Sequence, residues 1–329
     1  MFNVAIFGAG RIGQIHARNA AALPELTLKY VVDPDRTAAD ALARQTAAEV
    51  VDLDAALGDG SVSGVIIASA TDAHLDQALI AAAAGKAIFC EKPLDLDLAR
   101  ARSAAPQLSR ARMLVGFNRR FDPHFGALKA RIDSKVIGNL ETLHIVSHDP
   151  APPPVSYIRT SGGLFKDMAI HDFDMARWLL GEEPTEVFAS ASCLVDPAIG
   201  AAGDVDTARI LLRTETGRLC VISNTRRSGY GYDQRIEAYG SAGTARADNV
   251  LMSTVTTCTE SGSASDALQN FFLERYAEAY RREMKHFVDI LRDGATPAAG
   301  YADGVASLVL AEAAALSVKR HVSIKVASV

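Results

Sequence analysis

Along the first 120 residues, short apolar runs alternate with Ala-rich stretches of helical period: NVAIFG, IGQIHARNAAAL, LTLKYVVD, RTAADALARQTA, VSGVIIASA, HLDQALIAAAAG and AIFCEKP. This rhythm predicts βαβ units and a parallel sheet whose connections are right-handed crossovers. After MLVGFNRRFDP the pattern changes. A helix is predicted over HFGALKARID, then longer alternating stretches follow, NLETLHIVSH, TEVFASASCLV, DTARILLRTETGRLCVISNTRR and YDQRIEAYGSAGTARAD, with Gly-containing turns between them. These read as an antiparallel or mixed sheet with segregated helices. The chain closes on two amphipathic helical patterns, LERYAEAYRREMKHFVDILRDG and YADGVASLVLAEAAALSVKRH. DPAPPPVSY and TESGSASDA read as loops inside a domain. The fold class is therefore α/β, with one domain over residues 1–120 and an α+β domain over 121–329.

Length agrees with two domains, since 329 residues are long for a single core. The net charge of −5 is mild and spread out, with no Lys/Arg block to meet a phosphate backbone or an anionic membrane, so nucleic acid is not expected as a partner. The N-terminus runs straight into FNVAIFGAG without the marks of a signal peptide, and no later apolar run is read as long enough to span a bilayer. A cytoplasmic protein with no membrane partner is expected. Cys90, Cys193, Cys220 and Cys258 are far apart and form no CxxC pair, which fits reduced thiols.

The first chemical motif is GAGRIG, in which Gly8, Gly10 and Gly13 frame Arg11 and Ile12. It follows a predicted strand, opens a predicted helix, and precedes Asp33 at the end of the next strand, which is the context of a dinucleotide site. Gly8 would permit the tight turn, Gly10 the approach of a pyrophosphate to helix N-terminal amides, and Gly13 close helix–strand packing. Asp33 would accept from a ribose 2′-hydroxyl and so select NAD. Arg36, in DPDR, competes with it because an arginine here could receive a 2′-phosphate. Ser69, Thr71 and His74 follow the fourth apolar run, where ligands of open α/β sheets bind, although Thr71 and Asp72 could instead cap the next helix. Glu91 and Lys92 in CEKP end the next strand and place Lys92 at the sheet edge. In GGLFKDMAIHDFDMARWLLG, Asp167 and His171 are four apart and share a face if the segment is one helix, which lets a carboxylate orient an imidazole acting as base. The plainer alternative is a structural Asp–His pair. A metal site from His171, Asp172 and Asp174 lacks a second histidine or cysteine at ligand spacing, and no metal is expected.

GAGRIG, CEKP, VGFNRRFDP and the GG…DM…HD…D block, in this order, resemble the Gfo/Idh/MocA oxidoreductase family essentially from end to end. GYGYDQRIEAYGSAG and SHDPAPPPVSYI resemble its inositol-oxidising branch. The resemblance implies an NAD-binding Rossmann domain followed by a domain whose open, mostly antiparallel sheet supports oligomers, commonly tetramers, with dimers as the other expectation. It implies Lys92, Asp167 and His171 as catalytic residues, and Arg119, Asp172 and Tyr232 as contacts to a polyol. Asp149, in SHDP, departs from the pattern of other inositol dehydrogenases and is a further substrate candidate, with Tyr157 and Tyr230 as polar neighbours. The expected reaction is NAD-dependent oxidation of a cyclic polyol, myo-inositol to 2-keto-myo-inositol. Another inositol isomer or an aldopyranose, an NAD-dependent glycosidase, and a non-enzymatic NAD-binding regulator stand as alternatives.

Overall fold

The computed structural model describes every residue, Met1–Val329, and the chain divides into two compact units. The first unit comprises Met1–Phe121 and Glu278–Ala306. Its sheet contains β1 (Phe2–Phe7), β2 (Leu26–Val32), β3 (Glu49–Val50), β4 (Val62–Ile67), β5 (Ala87–Cys90) and β6 (Met113–Val115), in the order β3-β2-β1-β4-β5-β6. All five pairings are parallel. Helices α1 (Arg11–Ala21), α2 (Arg36–Thr46), α3 (Leu53–Gly58) and α4 (Thr71–Ala83) supply the first crossovers. The central strands are apolar on both faces because helices cover both, as a doubly wound sheet requires. Strand order reverses between β1 and β4, which places the ends of those two strands at the switch point of the sheet.

The expected boundary near residue 120 lies beside the observed one, but the second domain does not run unbroken to the C-terminus. The helix Ala277–Asp293 returns to the first unit, where Met284, Phe287, Val288, Ile290 and Leu291 join the core beside Val4, Ile6, Phe89 and Leu114. Its amphipathic stripe is the reason: the face must be buried, and the parallel sheet offers the apolar surface.

The second unit comprises Asp122–Ala277 and Ser307–Val329. Strands β7 (Leu140–His148), β8 (Pro184–Ser192), β9 (Thr207–Thr214), β10 (Leu219–Thr225), β11 (Asp233–Gly240) and β12 (Gly243–Ala247), with the short β15 (Ile324–Lys325), form a seven-stranded sheet ordered β12-β11-β7-β10-β9-β8-β15. Only β7 and β10 pair in parallel. The helix Ala169–Leu180 packs on β7 and β10, and its residues Ile170, Phe173 and Met175 are fully buried. The predicted loop TESGSASDA is instead part of an exposed hairpin, β13 (Thr256–Thr259) with β14 (Gly262–Ser265). Its alternating Thr and Ser residues support extended backbone without needing a core.

One sequence expectation about apolar runs is corrected. The helix Tyr301–Arg320 is long and apolar enough to cross a membrane by length and composition, yet 56% of its most apolar window is buried inside the protein, as in a core helix.

Candidate active site

The cofactor motif lies wholly in the first unit. Gly8 follows β1 with φ +104°, and a Cβ there would stand 2.4 Å from the Ala68 carbonyl oxygen, so only glycine fits this turn. A Cβ at Gly13 would meet the Gly8 carbonyl oxygen at 2.0 Å, which is the close helix–strand packing expected of the third glycine. Gly10, the N-cap of α1, differs: a Cβ there would meet nothing within 4 Å, and no side chain caps the helix. The first turn of α1 also holds no acidic residue. A bare helix N-terminus opening onto vacant space at Gly10 fits the diphosphate of a dinucleotide. Exposed Arg11 and half-buried Ile12 begin this helix.

Asp33 closes the loop from the other side. Its Oδ2 accepts from the Ala9 amide at 2.6 Å and its Oδ1 from the Asp35 amide at 2.7 Å. Arg36 is mostly exposed and pairs along its own helix with Asp40 at 3.0 Å.

At the ends of β4 and β5 the side chains sort differently from the sequence expectation. Half-buried Ser69 donates from Oγ to the Gln77 side-chain oxygen at 2.7 Å. Thr71 is the first residue of α4 and does not cap it, for the N-cap is Ala70 and no side chain bonds there. His74, expected at the cofactor, is 2% exposed; its Nδ1 lies 2.8 Å from the Pro93 carbonyl oxygen and its Nε2 3.1 Å from that of Ser69. Glu91, also expected there, is buried with Oε1 accepting from Nε2 of His16 at 2.7 Å. Both side chains are engaged in ties inside the first unit. Each lies close to a strand end but points inward, and direction is what a linear pattern does not carry. Lys92 between them is half-buried, and its peptide bond to Pro93 is cis. Arg119, 5% exposed, sits in the 3₁₀ turn Asn118–Phe121.

The proton-handling candidates lie in the second unit. The segment Gly162–Gly181 is not a single α-helix: Leu164–Met168 forms a π-turn that leads into Ala169–Leu180. Asp167 therefore sits on the π-turn and His171 on the helix, both half-buried. The Asp167 carboxylate accepts from Tyr157 Oη at 2.9 Å and faces the Arg226 guanidinium at 3.5 Å, with the Arg226 side chain 1% exposed. Arg226 was missed by the sequence reading; its signal is its place just after β10 in NTRR.

Asp172, expected to touch substrate, is 0% exposed, and its Oδ2 accepts from Nδ2 of the equally buried Asn224 on β10 at 2.7 Å. Through this bond the carboxylate fastens the helix to the sheet. Asp149 is half-buried after β7, with its amide bonded to the Thr225 carbonyl. Tyr232 is 8% exposed and stacks edge-on against Tyr276, whereas Tyr230 is exposed and donates to Asp233 at 2.5 Å. No group of three or more His, Cys, Asp or Glu is arranged to hold a metal ion.

Comparison with known proteins agrees with both halves. A family model described as an oxidoreductase family with an NAD-binding Rossmann fold matches residues 2–118, and one described as the GFO/IDH/MocA C-terminal domain matches residues 125–246. The chain is 47% identical to an inositol 2-dehydrogenase of Rhizobium meliloti, over 97% of this chain and 98% of that protein. It is 43% identical to a myo-inositol 2-dehydrogenase of Thermotoga maritima, over 99% of each. Among solved structures, scyllo-inositol dehydrogenase from Lactobacillus casei with bound NAD(H) and scyllo-inositol matches with a TM-score of 0.91 at 28% identity, covering 99% of each chain.

Proposed function

The chain belongs to the Gfo/Idh/MocA family of NAD-binding oxidoreductases, and we propose that it oxidises myo-inositol to 2-keto-myo-inositol. The observation that carries this reading is 47% and 43% identity, over nearly the full length, to two inositol 2-dehydrogenases. NAD is the cofactor; when bound, it accepts the hydride from the carbon bearing the reacting hydroxyl. The loop at Gly8 and Gly10 and the start of α1 would hold its diphosphate, and Asp33 would accept from its ribose.

Removing a hydride from a secondary alcohol also requires that the hydroxyl proton leave, and an alcohol in water does not release it at neutral pH. His171 takes that proton as general base. Asp167, held by Tyr157 and Arg226, is the carboxylate that orients it. Lys92 donates to the reacting oxygen as negative charge grows there. Arg119, Asp149 and Tyr232 are the proposed partners of the remaining ring hydroxyls, which must exchange water for protein.

Four free cysteines suit a reducing compartment, and we place the protein in the cytoplasm. The second unit's sheet exposes Phe188, Leu211 and Val221, neighbours in register across β8, β9 and β10. This apolar row supports assembly of a homo-oligomer, dimer or tetramer; Leu211→Lys should shift sedimentation toward the monomer, and an unchanged oligomer would remove the face from the interface.

The deciding experiment mixes the protein with NAD and a panel of inositol isomers, aldopyranoses and glycosides and follows NADH absorbance. Net NADH with myo-inositol at the highest kcat/KM is the expected result. Glycoside cleavage without net NADH would replace the reading by a glycosidase, and no turnover of any member would leave a binding protein.

A further inference from the structure

The residues on either side of Lys92 are each tied to a buried histidine, and both ties lie within the first unit. On the N-terminal side, the Glu91 carboxylate accepts from Nε2 of His16 at 2.7 Å; the His16 side chain is 0% exposed. On the C-terminal side, His74 donates from Nδ1 to the carbonyl oxygen of Pro93 at 2.8 Å.

Neither histidine is loosely placed. The His16 ring packs edge-on against Phe89, with centroids 4.6 Å apart, and against Tyr280 at 5.7 Å. Gly116 leaves room for Glu91, since a Cβ there would stand 3.1 Å from the Glu91 carboxylate. Burial opposes ionisation of Glu91, yet the His16 hydrogen bond and the nearby Lys92 outweigh it and hold the group below the usual glutamate range. A charged carboxylate kept at such a depth implies a bond that the fold maintains.

The two histidines also come from informative places. His16 lies on α1, the helix that opens at the Gly-rich loop, and His74 lies on α4, five residues after Ser69, whose carbonyl its Nε2 approaches. The lysine segment is thereby joined to both loops expected at the cofactor.

We propose that His16 and His74 are positioning residues for Lys92, fixing the Glu91-Lys92-Pro93 backbone against the two cofactor loops so that the ammonium reaches the reacting oxygen from one place. The proposal rests on the reading of Lys92 as the group that stabilises that oxygen. A lysine side chain is long and flexible, so the chain can fix only where it starts. A misplacement of about 1 Å at a reacting group can cost on the order of 10² in rate.

The test uses amides in place of each ring. His16→Gln carries an N–H close to the position of Nε2 and His16→Asn does not; His74→Asn carries one close to Nδ1 and His74→Gln does not. The matched variants should keep kcat within about threefold of wild type, and the mismatched ones should lose about 10-fold or more, with KM for NAD and for the polyol within about twofold throughout. Since all four are polar and similar in size, a general loss of packing does not produce this pattern. In a Lys92→Met background the matched and mismatched variants should become alike, because there is no ammonium left to place. Equal kcat for matched and mismatched variants, a loss expressed in KM for NAD, or a difference that persists undiminished in the Lys92→Met background would overturn the proposal. Failure of the underlying reading looks different: Lys92→Met itself would then turn over at close to the wild-type rate.

Discussion

Asp33 already holds two backbone amides before any ribose arrives, one from the Gly-rich loop and one from its own turn. A carboxylate offers about four acceptor positions, so capacity remains for a 2′-hydroxyl, while its charge opposes a 2′-phosphate. Arg36, the rival, is occupied with Asp40 on the surface of α2. The expected outcome is a higher kcat/KM with NAD than with NADP, narrowed by Asp33→Ala; because Ala9 then loses its acceptor, KM for NAD should rise in the same variant. Wild-type preference for NADP would transfer the role to Arg36. At the proposed base, His171→Ala should lower kcat by about 10² to 10⁴ with NAD affinity, read by fluorescence titration, almost unchanged. Near-normal turnover would remove His171 as the base. The tight turn at Gly8 and the close packing at Gly13 were legible in sequence because they follow from backbone geometry at fixed spacing. The inward turn of His74 and Glu91 was not, since the partners that decide it, Pro93 and His16, are distant along the chain.

The segment from Gly162 to Gly181 shows what periodicity leaves out at the scale of an element. Its apolar spacing is helical, and Ala169–Leu180 is indeed an α-helix. The π-turn before it has no compositional mark, because widening one turn changes no residue, yet it alters the angle at which Asp167 leaves the backbone. The turn is entered through Gly163, with φ +77°, and a Cβ there would stand 2.6 Å from Oδ1 of Asp204. That same carboxylate accepts from the Leu164 amide at 3.1 and 3.2 Å, tying down the first residue of the π-turn. Gly163→Ala should therefore cost about 1–3 kcal/mol for a positive-φ, extended-ψ backbone that glycine alone adopts readily, and more as Asp204 is pushed aside. A lower Tm together with a lower kcat, at unchanged NAD affinity, is expected from calorimetry and steady-state kinetics. Loss of Tm with full kcat would show that Asp167 does not depend on the turn.

For the whole molecule, the domain boundary near residue 120 was readable from the change of period, whereas the return of Glu278–Ala306 to the first unit was not. An amphipathic stripe says that a face is buried without saying against which sheet. The returning helix also brings Glu283, which is 0% exposed and has no hydrogen-bond partner on either carboxylate oxygen. Burial, reinforced by the charge of Glu91, pushes its pKa well above the ordinary 4.5. The native state thus keeps a proton that the unfolded chain releases. With the folded pKa raised, stability is full below the unfolded value and falls as pH climbs toward the folded one, by about 1.4 kcal/mol per pH unit inside that window. Glu283→Gln keeps the shape and removes the titration. The Tm of the variant relative to wild type should accordingly rise as pH goes from about 5 to about 8 and level off toward acid, where both side chains are neutral. A Tm difference that stays constant over this range would mean that Glu283 ionises in the folded protein as it does in the unfolded one, and that the first unit tolerates a second buried carboxylate charge beside Glu91.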